Sequence, residues 1–160
     1  MMTLPIRSER LRLRRFTEAD VKDVVDFVAH PSVARVTPEI EATERGVWKY
    51  IEMQNGYRPF EQDKCFDLAL ERLADGKVIG LLTLIRREHR QGEIGYALGV
   101  TYRGQGYATE AARALINYAF SVLKLHRIQA TTSSGNPGSY GVMERLGMRR
   151  EEEIERRVTT

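Results

Sequence analysis

The stretch Tyr102-Arg103-Gly104-Gln105-Gly106-Tyr107-Ala108-Thr109-Glu110-Ala111 carries the clearest chemical signal in the chain. It joins a segment of strand alternation to the strongest helical pattern in the sequence. Two glycines one residue apart let the backbone curl and approach a ligand with no side chain in the way. The first turn of a helix leaves N–H groups unpaired, and its dipole makes that end partly positive. Amides of Gly104, Gln105, Gly106, Tyr107, Ala108 and Thr109 are therefore expected to cradle a pyrophosphate, with Arg103 adding a formal charge. Two better-known phosphate motifs do not fit. A P-loop requires Lys followed by Ser or Thr, but Gly106 is followed by Tyr107 and Ala108. The dinucleotide fingerprint requires a third small residue where Thr109 stands and an acidic residue near Ala130, Thr131 and Thr132.

The elements that must position this turn follow from periodicity. Leu11, Leu13 and Phe16 alternate with Arg12 and Arg14, which predicts a first strand over 6–16. Thr17 reads as an N-cap with Asp20 at the third helical position, and Val21, Val24, Val25 and Val28 share one face. His30-Pro31 closes that helix. A second helix is expected over 43–53, capped by Thr43. Strands at 66–72 and 78–85 flank Asp75-Gly76, a hairpin signal. A fourth strand at 93–100 follows a turn around Gln91-Gly92. The period then becomes helical over 108–123, with Ala112, Leu115, Ile116, Ala119 and Phe120 facing inward. A strand at 127–132, a helix at 137–146 and an extended tail from Met148 complete the chain. Antiparallel strands leading into a β-α-β-α half predict an α/β protein with a mixed sheet and helices on both faces.

Composition narrows the classes. With 160 residues the chain suits one domain, 1–160. Lys+Arg 25 against Asp+Glu 22, with both signs interspersed, is too mild a balance to argue for nucleic acid. Cys65 is the single cysteine, so no internal disulfide framework exists and a reducing compartment is expected. Its position at the start of a strand reads as a buried thiol. His30, His89 and His126 show no metal spacing, so no metal is expected. No run has the length to span a bilayer, and the first ten residues carry charge where a signal peptide is apolar. A cytoplasmic protein without nucleic-acid or membrane partners is the expectation.

Several motifs occur in an order that resembles a known family. Ser8-Glu9-Arg10-Leu11-Arg12-Leu13-Arg14, Glu93-Ile94-Gly95-Tyr96, Arg103-x-x-Gly106-x-Ala108, Leu125-His126-Arg127-Ile128 and Asn136-x-x-Ser139-x-x-Val142-Met143-Glu144-Arg145-Leu146-Gly147-Met148 together resemble the GNAT acetyltransferase superfamily, specifically its RimJ/RimL-like branch. The resemblance covers nearly the whole chain. It implies a twisted sheet splayed between the fourth and fifth strands, with the pantetheine of acetyl-CoA inserted there. It further implies that Asn136 hydrogen-bonds the cofactor and that Ser139 lies near its sulfur. Relatives continue into a further strand where this chain reaches Val158-Thr159-Thr160, so the last strand is expected to be short, missing or supplied by a neighbour in a homodimer. A monomer is the other expectation.

The reaction so implied is N-acetyl transfer to an amine, by direct attack in a ternary complex. An α-amine has a pKa near ~8 and a lysine ~10.4, so roughly a tenth against well under a thousandth is neutral at pH 7. An N-terminal α-amine of a protein or peptide therefore needs less help and is the favoured acceptor. A polyamine, amino acid or antibiotic is the small-molecule alternative, and a non-catalytic acyl-CoA-binding module the alternative of another class. Glu93 matches the branch's acidic position and is the expected base. Met143 occupies the place of the tyrosine that many relatives use to protonate the thiolate, and the resemblance implies Ser139 as the substitute donor, with Tyr140 the less favoured alternative. Backbone N–H groups near Leu98, Gly99 and Val100 are expected to meet the oxyanion.

Overall fold

The computed structural model describes residues 4–130 and 137–148, with the side chains of 137–140 outside that description. In order, the strands and helices are β1 (Ile6–Arg7), β2 (Leu11–Arg14), α1 (Val21–Val28), α2 (Pro31–Ala34), α3 (Glu44–Asn55), β3 (Phe66–Arg72), β4 (Val78–Arg87), β5 (Gln91–Leu98), α4 (Tyr107–Ser121), β6 (Arg127–Ala130) and α5 (Pro137–Arg145). One sheet holds the strands in the order β1-β2-β3-β4-β5-β6. Every neighbouring pair is antiparallel except β5 with β6.

Alternation along β3 divides the interior. Phe66, Leu68 and Leu70 point to one face, where they pack with Leu82, Leu84 and the α4 residues Ala111, Ala112 and Leu115. Asp67 and Ala69 point to the opposite face, towards α1 and α3, where Val24, Val47, Ile51, Leu81 and Ala97 gather. Alanines at 111, 112 and 119 let α4 lie close to the sheet. Leu115, fully buried there, stabilises by roughly 1.5–3 kcal/mol through burial alone.

The expected α/β architecture, a mixed sheet with helices on both faces, is present, with local corrections. The single strand expected over 6–16 is a small hairpin: Ser8 N–H donates to the Leu11 carbonyl, and Ile6 pairs with Leu13. The expected fourth and fifth strands are therefore β5 and β6. Gln91-Gly92 begins β5, and the turn sits earlier, at His89 and Arg90, both with positive φ. Pro31 starts a helical turn, α2, with His30 as its N-cap. Phe120 is 43% exposed, because its side of α4 turns away from the sheet in the last helical turn. Cys65 is exposed and sits one residue before β3. Thr131 and Thr132, the tail from 149 and the question of a last strand lie outside the described residues. Among the described residues no helix is long and apolar enough to cross a membrane, and no group of His, Cys, Asp and Glu is arranged to hold a metal.

Candidate active site

The glycine turn has the backbone its sequence calls for. After a 3-10 turn at Val100–Tyr102, Gly104 has φ +77° and Gly106 φ +83°, and Gly106 is the N-cap of α4. A Cβ at Gly104 would meet no atom within 4 Å. The first intrahelical bond runs from Glu110 N–H to the Gly106 carbonyl. Among the described residues no side chain caps the helix, which leaves the N–H groups of Tyr107, Ala108 and Thr109 without an intrahelical partner. This bare first turn fits a diphosphate.

The cation beside the turn is one the sequence reading missed. Arg103 turns away, its Nε donating to the Leu98 carbonyl at 3.3 Å and its Nη2 to Ser32 Oγ at 3.2 Å. Arg10 comes instead from the β1–β2 turn. Its Nη1 donates to the Gln105 carbonyl at 3.0 Å, its guanidinium lies 4.3 Å from the Tyr107 ring centroid, and its Nε pairs with Glu110 at 2.7 Å. Glu110 also accepts from Ser8 Oγ at 2.5 Å and from Arg10 N–H at 2.8 Å. Desolvation pushes the Glu110 carboxyl up, but these hydrogen bonds from Ser8 and Arg10 outweigh it and hold the group below its ordinary value. A groove of about 550 Å³ continues from Arg10 and Gly106 past Thr109 to Arg113 and Arg145. Arg145 Nε donates to Thr109 Oγ1 at 3.2 Å, which joins α5 to the first turn of α4.

Among the described residues, pairing of β5 with β6 runs from Gln91↔Arg127 to Ile94↔Ala130. Beyond it, β5 continues through Gly95 to Leu98, still paired to β4. Glu93 lies on the α1–α3 face, where Arg87 engages its carboxylate through Nε at 3.0 Å and Nη2 at 2.9 Å. Of the backbone donors considered for an oxyanion, Gly99 N–H is already given to the Ile79 carbonyl at 2.8 Å. Ser139 belongs to α5, its side chain lying outside the described residues, as does Asn136.

Deeper on the same face lies a polar network. Asp67 is 5% exposed; its carboxylate accepts from Tyr50 Oη, from Gln54 Nε2 at 3.2 Å and from Thr83 Oγ1 at 2.5 Å. Burial pushes its carboxyl up to about 6, against the lowering effect of the Thr83 and Tyr50 hydrogen bonds, and Glu39 adds to the rise. Burial and the Asp67 charge raise the Tyr50 phenol well above its ordinary value. Although Cys65 is exposed, desolvation by the groups packed beside its thiol, with Asp67 and Glu39 nearby, raises it, which disfavours a nucleophilic role.

Among the described residues, an uncapped first turn of α4 after two positive-φ glycines could hold a phosphorylated ligand. A family model for the acetyltransferase (GNAT) domain matches residues 10–149, and the chain belongs to that family. It is 32% identical over 148 residues to the N-acetyltransferase YnaD of Bacillus subtilis (strain 168), covering 91% of this chain and 83% of the relative. The spermidine N(1)-acetyltransferase of Escherichia coli (strain K12) is 32% identical over 82 residues, which are 50% of this chain and 44% of that one. A crystal structure of a GNAT-family acetyltransferase from Bacillus anthracis superposes with a TM-score of 0.84 at 29% identity, covering 97% of this chain and 89% of the other. GNAT acetyltransferases use acetyl-CoA as cosubstrate, and this chain is an acetyl-CoA-dependent N-acetyltransferase of that type, with the motif set of the RimJ/RimL-like branch.

Proposed function

We propose that the chain acetylates an N-terminal α-amine of a protein or peptide, with acetyl-CoA held at the mouth of α4. The observation that carries the cosubstrate assignment is the run of N–H groups without an intrahelical partner from Tyr107 to Thr109 beyond two positive-φ glycines. Gly104, Gln105, Gly106, Tyr107, Ala108 and Thr109 hold the diphosphate, Arg10 supplies the charge first sought in Arg103, and Arg113 and Arg145 extend the basic groove. The pantetheine follows β5 past Leu98, Gly99 and Val100, with Asn136 as a hydrogen-bond partner and Ser139 as the donor to the departing sulfur. Placing two bound reactants in contact supplies much of the acceleration.

The acceptor approaches the α1–α3 face of β5, the face that carries Glu93, the residue to which the sequence pointed as base. Because Arg87 holds that carboxylate, the site is better matched to an α-amine, a tenth of which is already neutral at about pH 7, than to a lysine. A small polyamine is the second reading. It is favoured by the carboxylates of Glu39, Asp67 and Glu93 around Cys65 and by the partial likeness to the spermidine acetyltransferase. The test is acetyl-CoA turnover across a panel of N-terminal peptides, lysine peptides and polyamines. Transfer to α-amines with lysine peptides inert supports the first reading, and transfer confined to polyamines replaces it with the second.

A further inference from the structure

Asp67 has no catalytic part in the α-amine reading above, yet its hydrogen bonds determine what a neighbouring hydroxyl can do. A threonine hydroxyl has one proton and two lone pairs. The proton of Thr83 is committed to Asp67 Oδ1 at 2.5 Å. What half-buried Thr83 offers an incoming group is therefore an acceptor only. Asp67 cannot easily turn to release it. Its Oδ2 is held by Tyr50 Oη and Gln54 Nε2, and its own N–H donates to Gln54 Oε1 at 2.9 Å. Gln54 Nε2 donates in addition to the Cys65 carbonyl at 2.9 Å, so both ends of that amide are fixed.

Register carries the row outward. Asp67 pairs with Thr83 and Thr83 with Gly95, which places all three on the α1–α3 face. A Cβ at Gly95 would meet nothing within 4 Å among the described residues, so the Thr83 hydroxyl borders an open notch in β5. That notch lies one residue beyond Ile94, the last residue of β5 paired with β6 among the described residues. An acceptor-only oxygen beside an empty space suits a group that brings hydrogens, as an amine does.

We propose that the notch over Gly95 seats the acceptor amine, that Thr83 Oγ1 accepts its N–H, and that Asp67, through Thr83, receives the proton released on attack. The inference rests on the acceptor approaching this face. In the step, the amine nitrogen bonds to the acetyl carbonyl carbon. Its surplus proton passes to Thr83 Oγ1 as the Thr83 proton passes to Asp67 Oδ1. The C–S bond then breaks, its electron pair leaving on the sulfur of coenzyme A, which takes a proton from the proposed donor Ser139. Ser139 regains a proton from solvent as Asp67 loses one to solvent and returns to the carboxylate. Thr83 touches the substrate; Asp67 is a positioning residue acting through it. The charged or titratable groups around Asp67 are Tyr50 on α3, Glu39 ahead of α3, Cys65, and further out Glu93 and Arg87. Burial keeps Asp67 near about 6, where it is ionised at neutral pH but takes a proton more readily than an exposed carboxylate.

The experiment measures kcat/KM against pH for the full chain and for Thr83→Val, Thr83→Ser and Asp67→Asn, with the best acceptor of the panel. Dividing the wild-type value by the Thr83→Val value at each pH cancels the titration of the amine itself. The ratio should rise through about pH 6 and level at roughly a hundredfold, within the range of general-base effects. Thr83→Ser should restore most of the rate, Asp67→Asn should behave as Thr83→Val, and all should keep the rise in Tm given by acetyl-CoA. A Thr83→Val enzyme with the rate and pH limb of the wild type overturns the proposal, as does a limb lost only in Glu93→Gln. Both results leave acetyl transfer intact, whereas a wild type inert toward every amine removes the parent reading with it.

Discussion

Replacing Asp67 with Asn should change how stability depends on pH, in a direction opposite to that of most carboxylates. The native Asp67 carboxyl titrates near about 6 against 3.8 unfolded, because burial outweighs its hydrogen bonds. Between those values the folded protein binds more protons than the unfolded one. The stabilisation is therefore complete below the unfolded value and is lost as pH rises through about 6. Two pKa units correspond to about 3 kcal/mol. The quantity to measure is the unfolding free energy of the wild type minus that of Asp67→Asn, by urea titration at constant ionic strength between pH 4 and 7.5. It should fall by about 2.4 kcal/mol across that range, the remainder lying below pH 4. Carboxyls held below their ordinary values, Glu110 and Asp75, act in the opposite sense but are common to both proteins and cancel. Any hydrogen bond mismatched by the Asn amide adds a constant offset and leaves the slope alone. A pH-independent difference would refute the assigned titration. A difference that grows with pH would mean that the donors Thr83, Tyr50 and Gln54 overcome burial.

Gly106→Glu should abolish the acetyl-CoA thermal shift, since it puts a side chain at φ +83°, with its Cβ 3.4 Å from Arg10 Nη2 and an anion where the phosphates bind. The wild type at a hundredfold excess over Kd should gain about 2.7 kcal/mol, visible by scanning fluorimetry as several degrees of Tm. Arg10→Ala should weaken acetyl-CoA binding by roughly tenfold or more, as expected for a lost charge-assisted phosphate contact. Arg103→Ala, whose guanidinium faces Leu98 and Ser32, should cost less, and calorimetric titration of the two variants ranks them. Gly95→Leu should fill the notch beside Thr83, raising KM for the amine or lowering kcat at least tenfold while the acetyl-CoA shift persists; steady-state kinetics with each substrate varied separates the two effects.

Local features were legible in the sequence, and contacts between distant segments were not. Thr17 N–H bonds Asp20 Oδ2 at 2.7 Å, and Thr43 Oγ1 accepts from Gly46 N–H at 2.9 Å. Each helix start is thus set by residues three apart. The glycine turn could be read for the same reason, since its backbone depends only on Gly104, Gly106 and the helix that follows. Arg10 was beyond reach because its partners, Gln105 and Glu110, lie some hundred positions away. Arg103 was in the right turn, but its side chain answered to Ser32, whose place is fixed by the packing of α2. Asp67 did leave a trace: it is the one acidic residue inside the apolar run from Phe66 to Leu70. A carboxylate there must find donors, although which donors depended on strand register with Thr83 and on the face of α3 that carries Tyr50 and Gln54.

The position of Glu110 bears on how the phosphate site can exist at all. A carboxylate in the first turn of α4 suits the helix dipole, but it stands beside a site meant for a diphosphate and would repel it. Ser8 Oγ, the Arg10 N–H and the Arg10 guanidinium all converge on this one carboxylate. The pairing offsets its charge and also fixes the short β1–β2 turn against the mouth of α4. With Nε spent on Glu110 and Nη1 on the Gln105 carbonyl, Arg10 leaves Nη2 near Gly106 as the donor still directed at the turn. On this argument Glu110 is a clamp that sets the angle of Arg10. Glu110→Gln, which keeps the shape but weakens the grip, should therefore loosen acetyl-CoA binding even though it removes a negative charge from the phosphate site. Simple charge repulsion predicts the reverse, so the sign of the change in Kd decides between the two.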